Sequence, residues 1–112
     1  MSPSVAPREI YYYEEEGTRP CEEWIELLSD VRGKAKILGR INRAAKGNFG
    51  DSKNLSDGVS ELRIDFGPGY RVYYGIENDQ IILLLGGGSK RTQDSDIEIA
   101  KKRWRKHCSK RK

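Results

Sequence analysis

A change to a two-residue period after residue 60 restricts the fold of this chain more than any other feature. Apolar and polar side chains alternate over residues 61–66, and the same alternation returns over residues 70–76. Because successive side chains of a strand point to opposite faces of a sheet, each segment predicts a strand with one apolar face. Tight turns at residues 67–69 and 78–79 are expected to join these strands and a third, over residues 80–85, into an antiparallel meander.

The alternation also predicts how the strands pair. Keeping the apolar side chains on one face places Phe66 opposite Tyr70, which sets the carboxylate of Asp65 against Arg71. The third strand is apolar on both faces, so it is expected to lie centrally in the sheet. Its expected register places Gly86 beside Arg71.

Helical spacing of apolar residues predicts three helices. The first begins at Pro20, which suits a first helical turn, and Gly33 marks the expected break before a second helix over residues 34–46. A final helix over residues 92–107 is expected to bury Ile97, Ala100 and Trp104. With a leading strand over residues 9–14, the predicted order is β-αα-βββ-α, an α+β fold.

The length of 112 residues fits a single domain. We expect a disordered lead over residues 1–8, a folded domain over residues 9–108 and a basic tail over residues 109–112. The longest apolar run, Ile81–Leu85, is too short for a membrane helix, and the first residues lack the apolar core of a secretion signal. Two cysteines and one histidine predict neither a disulfide framework nor a conventional zinc site, and a cytoplasmic location is the default.

Positive charge is concentrated in two blocks of the sequence. Residues 31–50 contain six basic and no acidic side chains, and residues 101–112 contain eight basic and no acidic ones, although the whole chain has a net charge of only +4. Such blocks are typical of surfaces that bind nucleic acid or an acidic partner, and equally of a solvated helix face followed by a frayed tail. The candidate nucleic-acid contacts are Arg32, Lys36, Arg40 and Arg43 in the first block, and Lys102, Arg105 and Lys106 in the second.

A candidate anion site is expected where the last strand ends and the final helix begins. Three glycines follow the strand and lead into Lys90 and Arg91, and the predicted sheet brings Arg63 and Arg71 to the same region. The natural ligand of such a set of cations is a polyanion backbone. The simpler interpretations are a cross-strand pair of Arg71 with Asp65 and a glycine turn without function. His107, Cys21 and Cys108 are interpreted as residues without a catalytic role, with Cys108 on the buried stripe of the final helix.

Two segments of the sequence resemble a known family. Residues 60–74, SELRIDFGPGYRVYY, and residues 82–97, ILLLGGGSKRTQDSDI, are similar to bacterial addiction-module killer proteins. These proteins form the HigB-like, phage-Gp49-like branch of the RelE/ParE toxin superfamily. The resemblance implies a RelE-like fold, with a helical hairpin on one face of an antiparallel sheet and a C-terminal helix. It covers residues 9–107, which is nearly the whole chain.

The resemblance also implies a function. Many relatives are toxins that cut messenger RNA on the ribosome without a metal ion or other cofactor, by attack of the ribose 2′-OH on the adjacent phosphate. Their partners are the ribosome, mRNA and a cognate antitoxin, expected to be a helix-turn-helix DNA-binding protein. By this resemblance, Arg71 matches the active-site arginine of the family, and Arg91 with the adjacent Lys90 matches a basic residue after the last strand. Arg63 matches a catalytic lysine or arginine on the strand that precedes Arg71. The alternatives are a ParE-like DNA gyrase inhibitor and a catalytically inactive relative that binds an antitoxin.

Overall fold

Helices lie on both faces of a five-stranded sheet in the computed structural model, which describes residues 6–110 of the chain. The sheet order is β1-β5-β4-β3-β2, in which β1 runs parallel to β5 and all other neighbours are antiparallel. The α+β class and the RelE-like order of elements are therefore confirmed, with one additional short edge strand. The elements are β1 (Glu9–Tyr12), α1 (Pro20–Leu27), α2 (Val31–Ala45), β2 (Ser52–Asn54), β3 (Ser60–Ile64), β4 (Tyr70–Glu77), β5 (Ile81–Ser89), a 3-10 turn (Lys90–Thr92) and α3 (Gln93–Lys110).

Part of the expected N-terminal lead is described. Residues 1–5 lie outside the described residues. The backbone N–H of Arg8 donates to the carbonyl of Ala45 at 2.7 Å, and its guanidinium forms an ion pair with Asp79. Arg8 thereby links the start of β1 to the end of α2.

The break between the first two helices lies before Gly33, so the predicted position was wrong. Asp30 caps α2, and its side chain accepts hydrogen bonds from the Gly33 N–H at 2.9 Å and the Tyr70 hydroxyl at 2.8 Å. Gly33 lies inside α2. A Cβ at this position would be 2.7 Å from the Tyr70 ring, so only glycine fits here. The glycine therefore permits close packing of α2 on the sheet and does not end a helix.

Two hydrophobic cores form, one on each face of the sheet. On the first face, α1 and α2 pack against the even-numbered residues of β3 and β4, and the buried side chains of α2 include Ile37, Ile41 and Ala44. Leu38 lies on another side of α2 and is exposed. On the second face, α3 packs through Ala100 and the partly buried Ile97 and Trp104, as predicted.

The predicted register of β3 with β4 was wrong by two residues. Ile64 pairs with Tyr70, and Arg63 therefore lies opposite Arg71, whereas Asp65 lies outside the strand. The strand ends earlier than the alternation suggested because Gly67 and Gly69 adopt positive φ angles and widen the turn. The alternation of apolar residues continues to Phe66, beyond the last paired residue Ile64. It therefore predicted which face of the sheet each side chain lies on, but not the register of the two strands.

The central strand also continues further than predicted. It runs through all three glycines to Ser89. Glu77 pairs with Ile81, one residue later than expected, and an irregularity between Tyr73 and Tyr74 adds a second residue, so Gly88, not Gly86, lies opposite Arg71. A Cβ on Gly87 would lie 2.3 Å from the ring of Trp24, which belongs to α1. A Cβ on Gly88 would lie 2.0 Å from an oxygen of Asp96 in α3. The glycines thus form strand rather than turn, and they allow helices to approach both faces closely.

Candidate active site

A buried carboxylate organises the polar part of the second sheet face. Glu61 is completely buried, and one of its oxygens, Oε2, lies 3.2 Å from Nε of Arg71 and 3.6 Å from Nε of Arg63. The side-chain amide of Gln93 donates to both carboxylate oxygens at 3.1 and 3.2 Å. Two cations and one amide donor therefore surround a single carboxylate, a group that is costly to bury without such partners. We call Glu61, Arg63, Arg71 and Gln93 the arginine clamp.

The strands and α3 each supply part of the arginine clamp. Glu61 and Arg63 are two residues apart on β3 and so share a face, and Arg71 lies opposite Arg63 on β4. Gln93 is the first residue of α3, which follows the 3-10 turn after β5. The Arg71 side chain is 12% exposed and that of Arg63 is 33% exposed. Both guanidinium groups therefore combine a buried anchor with access to solvent.

Lys90 approaches the arginine clamp from the 3-10 turn. Its backbone N–H donates to the carbonyl of Gly69 at 2.7 Å. A Cβ on Gly69 would lie 3.4 Å from Cβ of Lys90 and 4.0 Å from Nη1 of Arg71. Lys90 and Arg71 are thus neighbours across a glycine. Arg91 is exposed in the same turn and lines a shallow depression of about 450 Å³ with Lys90 and Gln93.

Tyr73 lies under the arginine clamp. The side chain is completely buried, and its hydroxyl has no hydrogen-bond partner within residues 6–110. Burial raises the pKa of Tyr73 well above its ordinary value, and the nearby Glu61 raises it further. The hydroxyl therefore keeps its proton at neutral pH. Its aromatic ring belongs to the second core.

The first basic block forms a separate surface on α2. Arg40 donates to the backbone carbonyls of Arg63, Phe49 and Asp51, so its guanidinium holds the chain after α2 against β3. Lys36 lies over the ring of Phe66, 5.1 Å from the centroid. A groove of about 450 Å³ follows this surface. It is lined by Lys36, Gly39, Arg40, Arg43, Ile64, Asp65 and Phe66. Arg32, like Arg43, is exposed.

The second basic block lies on α3, where some side chains pack against the sheet and others are exposed to solvent. Arg103 donates to the carbonyl of Leu85 at 2.7 Å, so it contributes to packing. Lys102 and Arg105 are exposed, and Lys106 lies 3.9 Å from Glu15. His107 is hydrogen-bonded to Glu77 at 2.8 Å and stacks on Trp104. Arg111 and Lys112 lie outside the described residues.

Comparison with known proteins identifies the family. A family model described as "Phage derived protein Gp49-like (DUF891)" matches residues 23–105, from α1 to the last turns of α3. The chain belongs to the Gp49-like family. This is a HigB/RelE-like toxin family, in agreement with the fold. A protein of Haemophilus influenzae named only "Uncharacterized protein" is 52% identical over 84 residues, which cover 75% of this chain and 85% of that relative.

The family match places the complete arginine clamp of this Gp49-like protein within the shared domain. The structure brings together Arg63, Arg71 and Lys90, which were predicted from the sequence, and places Arg91 beside them in the 3-10 turn. The predicted pair of Arg71 with Asp65 was wrong, because the shorter β3 leaves Asp65 exposed in the α2 groove. The prediction of a buried Cys108 was also wrong, since its side chain is exposed.

Sequence reasoning missed Glu61 and Gln93 in this Gp49-like site. The only signal was that Glu61 shares the polar side of the β3 alternation with Arg63. Its burial depends on α3, which no local pattern places. Within residues 6–110, no cluster of three or more His, Cys, Asp or Glu side chains could hold a metal ion, and no helix is long and apolar enough to cross a membrane.

Proposed function

We propose that this Gp49-like protein is the toxin of a type II toxin–antitoxin module and cleaves mRNA on the ribosome as a metal-independent endoribonuclease. The observation that supports this most directly is the convergence of Arg63 and Arg71 on one buried carboxylate, with Lys90 beside Arg71. Three cations and one carboxylate leave an excess of positive charge at a partly open site. A phosphodiester backbone is the ligand that matches this charge.

The chemistry follows from the properties of guanidinium groups. When a ribose 2′-OH attacks the neighbouring phosphorus, it loses its proton and the bond from phosphorus to the 5′-oxygen breaks. The leaving 5′-oxygen takes up a proton, so the products are a 2′,3′-cyclic phosphate and a 5′-hydroxyl. Negative charge builds up on the phosphorane before that bond breaks, and fixed cations stabilise it. Arginine stays protonated and donates several hydrogen bonds in one plane, so Arg71 and Arg63 are suited to hold these oxygens. Lys90 and Arg91 would bind the flanking phosphates.

Glu61 acts in this proposal as a positioning residue. Its carboxylate forms ion pairs with both arginines, and it accepts hydrogen bonds from the side-chain amide of Gln93. A guanidinium that is fixed before substrate binds loses less freedom in the transition state than a mobile one. Glu61→Gln should therefore lower kcat more than it raises KM and leave the shape of the pH–rate profile unchanged. Loss of the acidic limb of that profile would instead identify Glu61 as a general base.

The two exposed basic surfaces would bind ribosomal RNA. On α2 the exposed cations include Arg32, Lys36 and Arg43, and on α3 they include Lys102, Arg105 and Lys106. Binding through phosphate contacts depends strongly on salt concentration. Deleting residues 109–112, which contain three basic side chains, should weaken ribosome binding and reduce its salt dependence. The position of mRNA cleavage should not change.

The decisive experiment is induction of the protein in cells that lack the antitoxin. We expect growth arrest and new mRNA ends within coding regions, mapped by primer extension, while plasmid supercoiling remains unchanged. Arg71→Ala should lower cleavage by about 10²–10³, the usual cost of removing one donor to a developing oxyanion. Lys53→Ala, an exposed cation on the edge strand β2, is the matched control and should retain cleavage. DNA breaks without RNA cuts would favour gyrase inhibition, and full toxicity of Arg71→Ala would contradict the assigned site.

A further inference from the structure

A row of apolar side chains is exposed where α1 ends and α2 begins. Leu27 is 84% exposed, Val31 is 78% exposed and Leu38 is 39% exposed. Val31, Ala35 and Leu38 are separated by four and three residues, so they lie on one side of α2, and Ala35 is also exposed. A hydrogen bond from Nζ of Lys34 to the carbonyl of Glu26, at 3.2 Å, joins the end of α1 to the first turns of α2. We call Leu27, Val31, Ala35 and Leu38 the apolar row.

The apolar row is distinct from the other two faces of α2. Ile37 and Ile41 pack on the sheet, and the cations Lys36, Arg40 and Arg43 line the basic groove on another side. On a helix that packs on a core, the side chains outside the buried stripe are usually polar. The exposed Val31 and Leu38, two turns apart, therefore do not contribute to the core of this protein. Contiguous exposed apolar side chains bordered by polar ones mark interaction surfaces.

We propose that the apolar row is the docking surface for an amphipathic, acidic helix of the antitoxin. This inference rests on the proposed toxin function only in taking the partner to be an antitoxin. An amphipathic helix binds through apolar side chains three and four residues apart. The apolar row has the same spacing, so such a helix can pack along it. The α2 helix carries five basic side chains and no acidic one. A partner with carboxylates beside its apolar row would therefore be electrostatically complementary.

Other occupants match the surface less well. In a symmetric dimer the same patch meets itself, so the five basic side chains of α2 would lie close to those of the second copy. RNA presents phosphates and base faces, and single-stranded RNA is held by aromatic side chains on which bases stack. The apolar row consists of aliphatic side chains only. The basic groove and the arginine clamp remain available to RNA.

The test measures binding of the protein encoded beside this gene, the expected antitoxin, by titration calorimetry. Val31→Glu and Leu38→Glu place a carboxylate in the apolar row without disturbing the core, because both side chains are exposed. Each should weaken binding by about 30-fold or more, as truncation of an interface hot spot does. Ile99→Glu is the matched control, since Ile99 is 43% exposed on α3. It should bind the antitoxin like the wild type, and thermal unfolding should show that all three variants fold.

Each other outcome overturns the docking inference. Unchanged antitoxin affinity in both row variants, or no binding by the wild type, would remove it. Self-association of the wild type that Val31→Glu abolishes, measured by sedimentation, would assign the row to a second copy of this chain. Loss of ribosome binding with antitoxin binding intact would assign it to RNA. Because the readout is binding, failure of mRNA cleavage would contradict the proposed function and leave the docking result standing.

Discussion

The two faces of the sheet are covered to different extents, and the candidate site lies where the cover ends. On the first face, α1 and α2 together bury an apolar surface that includes Leu62, Ile64 and Val72. On the second face, a single helix packs on a smaller core around Tyr73 and Leu85. The arginine clamp lies on the same face, at the beginning of α3, where Gln93 contacts Glu61.

The difference shows how one sheet can support both stability and chemistry. A complete apolar cover stabilises the strands but leaves no accessible polar groups. A partial cover leaves β3 and β4 residues that are buried on one side and open on the other. In such a position a cation is held rigidly and still reaches a ligand, as the partial exposure of Arg63 and Arg71 illustrates. We therefore expect substitutions on the first face to affect stability and those at the clamp to affect both stability and activity.

Removing the carboxylate of the clamp should have the largest effect on stability. Glu61→Ala leaves Arg71 buried without its counter-charge, and breaking a buried ion pair in this way typically costs about 3–5 kcal/mol. Urea unfolding followed by circular dichroism would measure the loss. Glu98→Ala, on the exposed side of α3, is the control and should change stability by less than about 0.5 kcal/mol. Equal stability of the two variants would show that Glu61 has no structural role.

A cavity on the first face should be the next most damaging change. Ile37 of α2 is completely buried, so Ile37→Ala should lower the free energy of unfolding by about 2–5 kcal/mol. Ile97 of α3 is only partly buried, and Ile97→Ala should cost less than half as much. The two variants, compared by urea unfolding, measure how unequally the faces contribute. A larger loss for Ile97→Ala would reverse the comparison.

The fit of α3 against β4 can be tested with one methyl group. A Cβ on Gly75 would lie 2.4 Å from the ring of Trp104, so Gly75→Ala should push α3 outward and cost about 1–3 kcal/mol. Gly39 lies in the middle of α2 with no atom within 4 Å of an added Cβ. Gly39→Ala should therefore stabilise the protein by about 0.5–1 kcal/mol through helix propensity. Thermal unfolding that shows the same sign for both variants would contradict this packing.

The smallest expected effect concerns the cap of α2 and appears only as pH dependence. The Gly33 N–H and the Tyr70 hydroxyl hold the pKa of Asp30 below its ordinary value of 3.8. The carboxylate therefore stabilises the fold above that pH, and its contribution is lost as the pH falls through the lowered pKa. Asp30→Asn should unfold with a weaker dependence on pH below about 4. Urea midpoints measured across this range would test it, and identical profiles for both proteins would exclude the effect.

Much of the fold could be predicted because it depends on local periodicity. The alternation over residues 61–66 and 70–76 identified β3 and β4, and helical spacing identified the three helices. Exact boundaries failed where one residue type has two uses. Gly33 looked like a helix break, and Gly86–Gly88 like a turn, because a glycine that admits a neighbouring ring has the same sequence signature as one that adopts a positive φ.

The sequence by itself determined the order of elements apart from the short edge strand β2, the apolar faces of the longer strands and the presence of cations at Arg63, Arg71 and Lys90. Only the tertiary structure decided what those cations contact. The register of β3 with β4 set Arg63 opposite Arg71, and the docking of α3 brought Gln93 over Glu61. Both depend on contacts between residues far apart in the chain, whose energies come from packing and from the cost of burying charge. Neither the strand register nor the docking of α3 can therefore be predicted from local patterns of side chains.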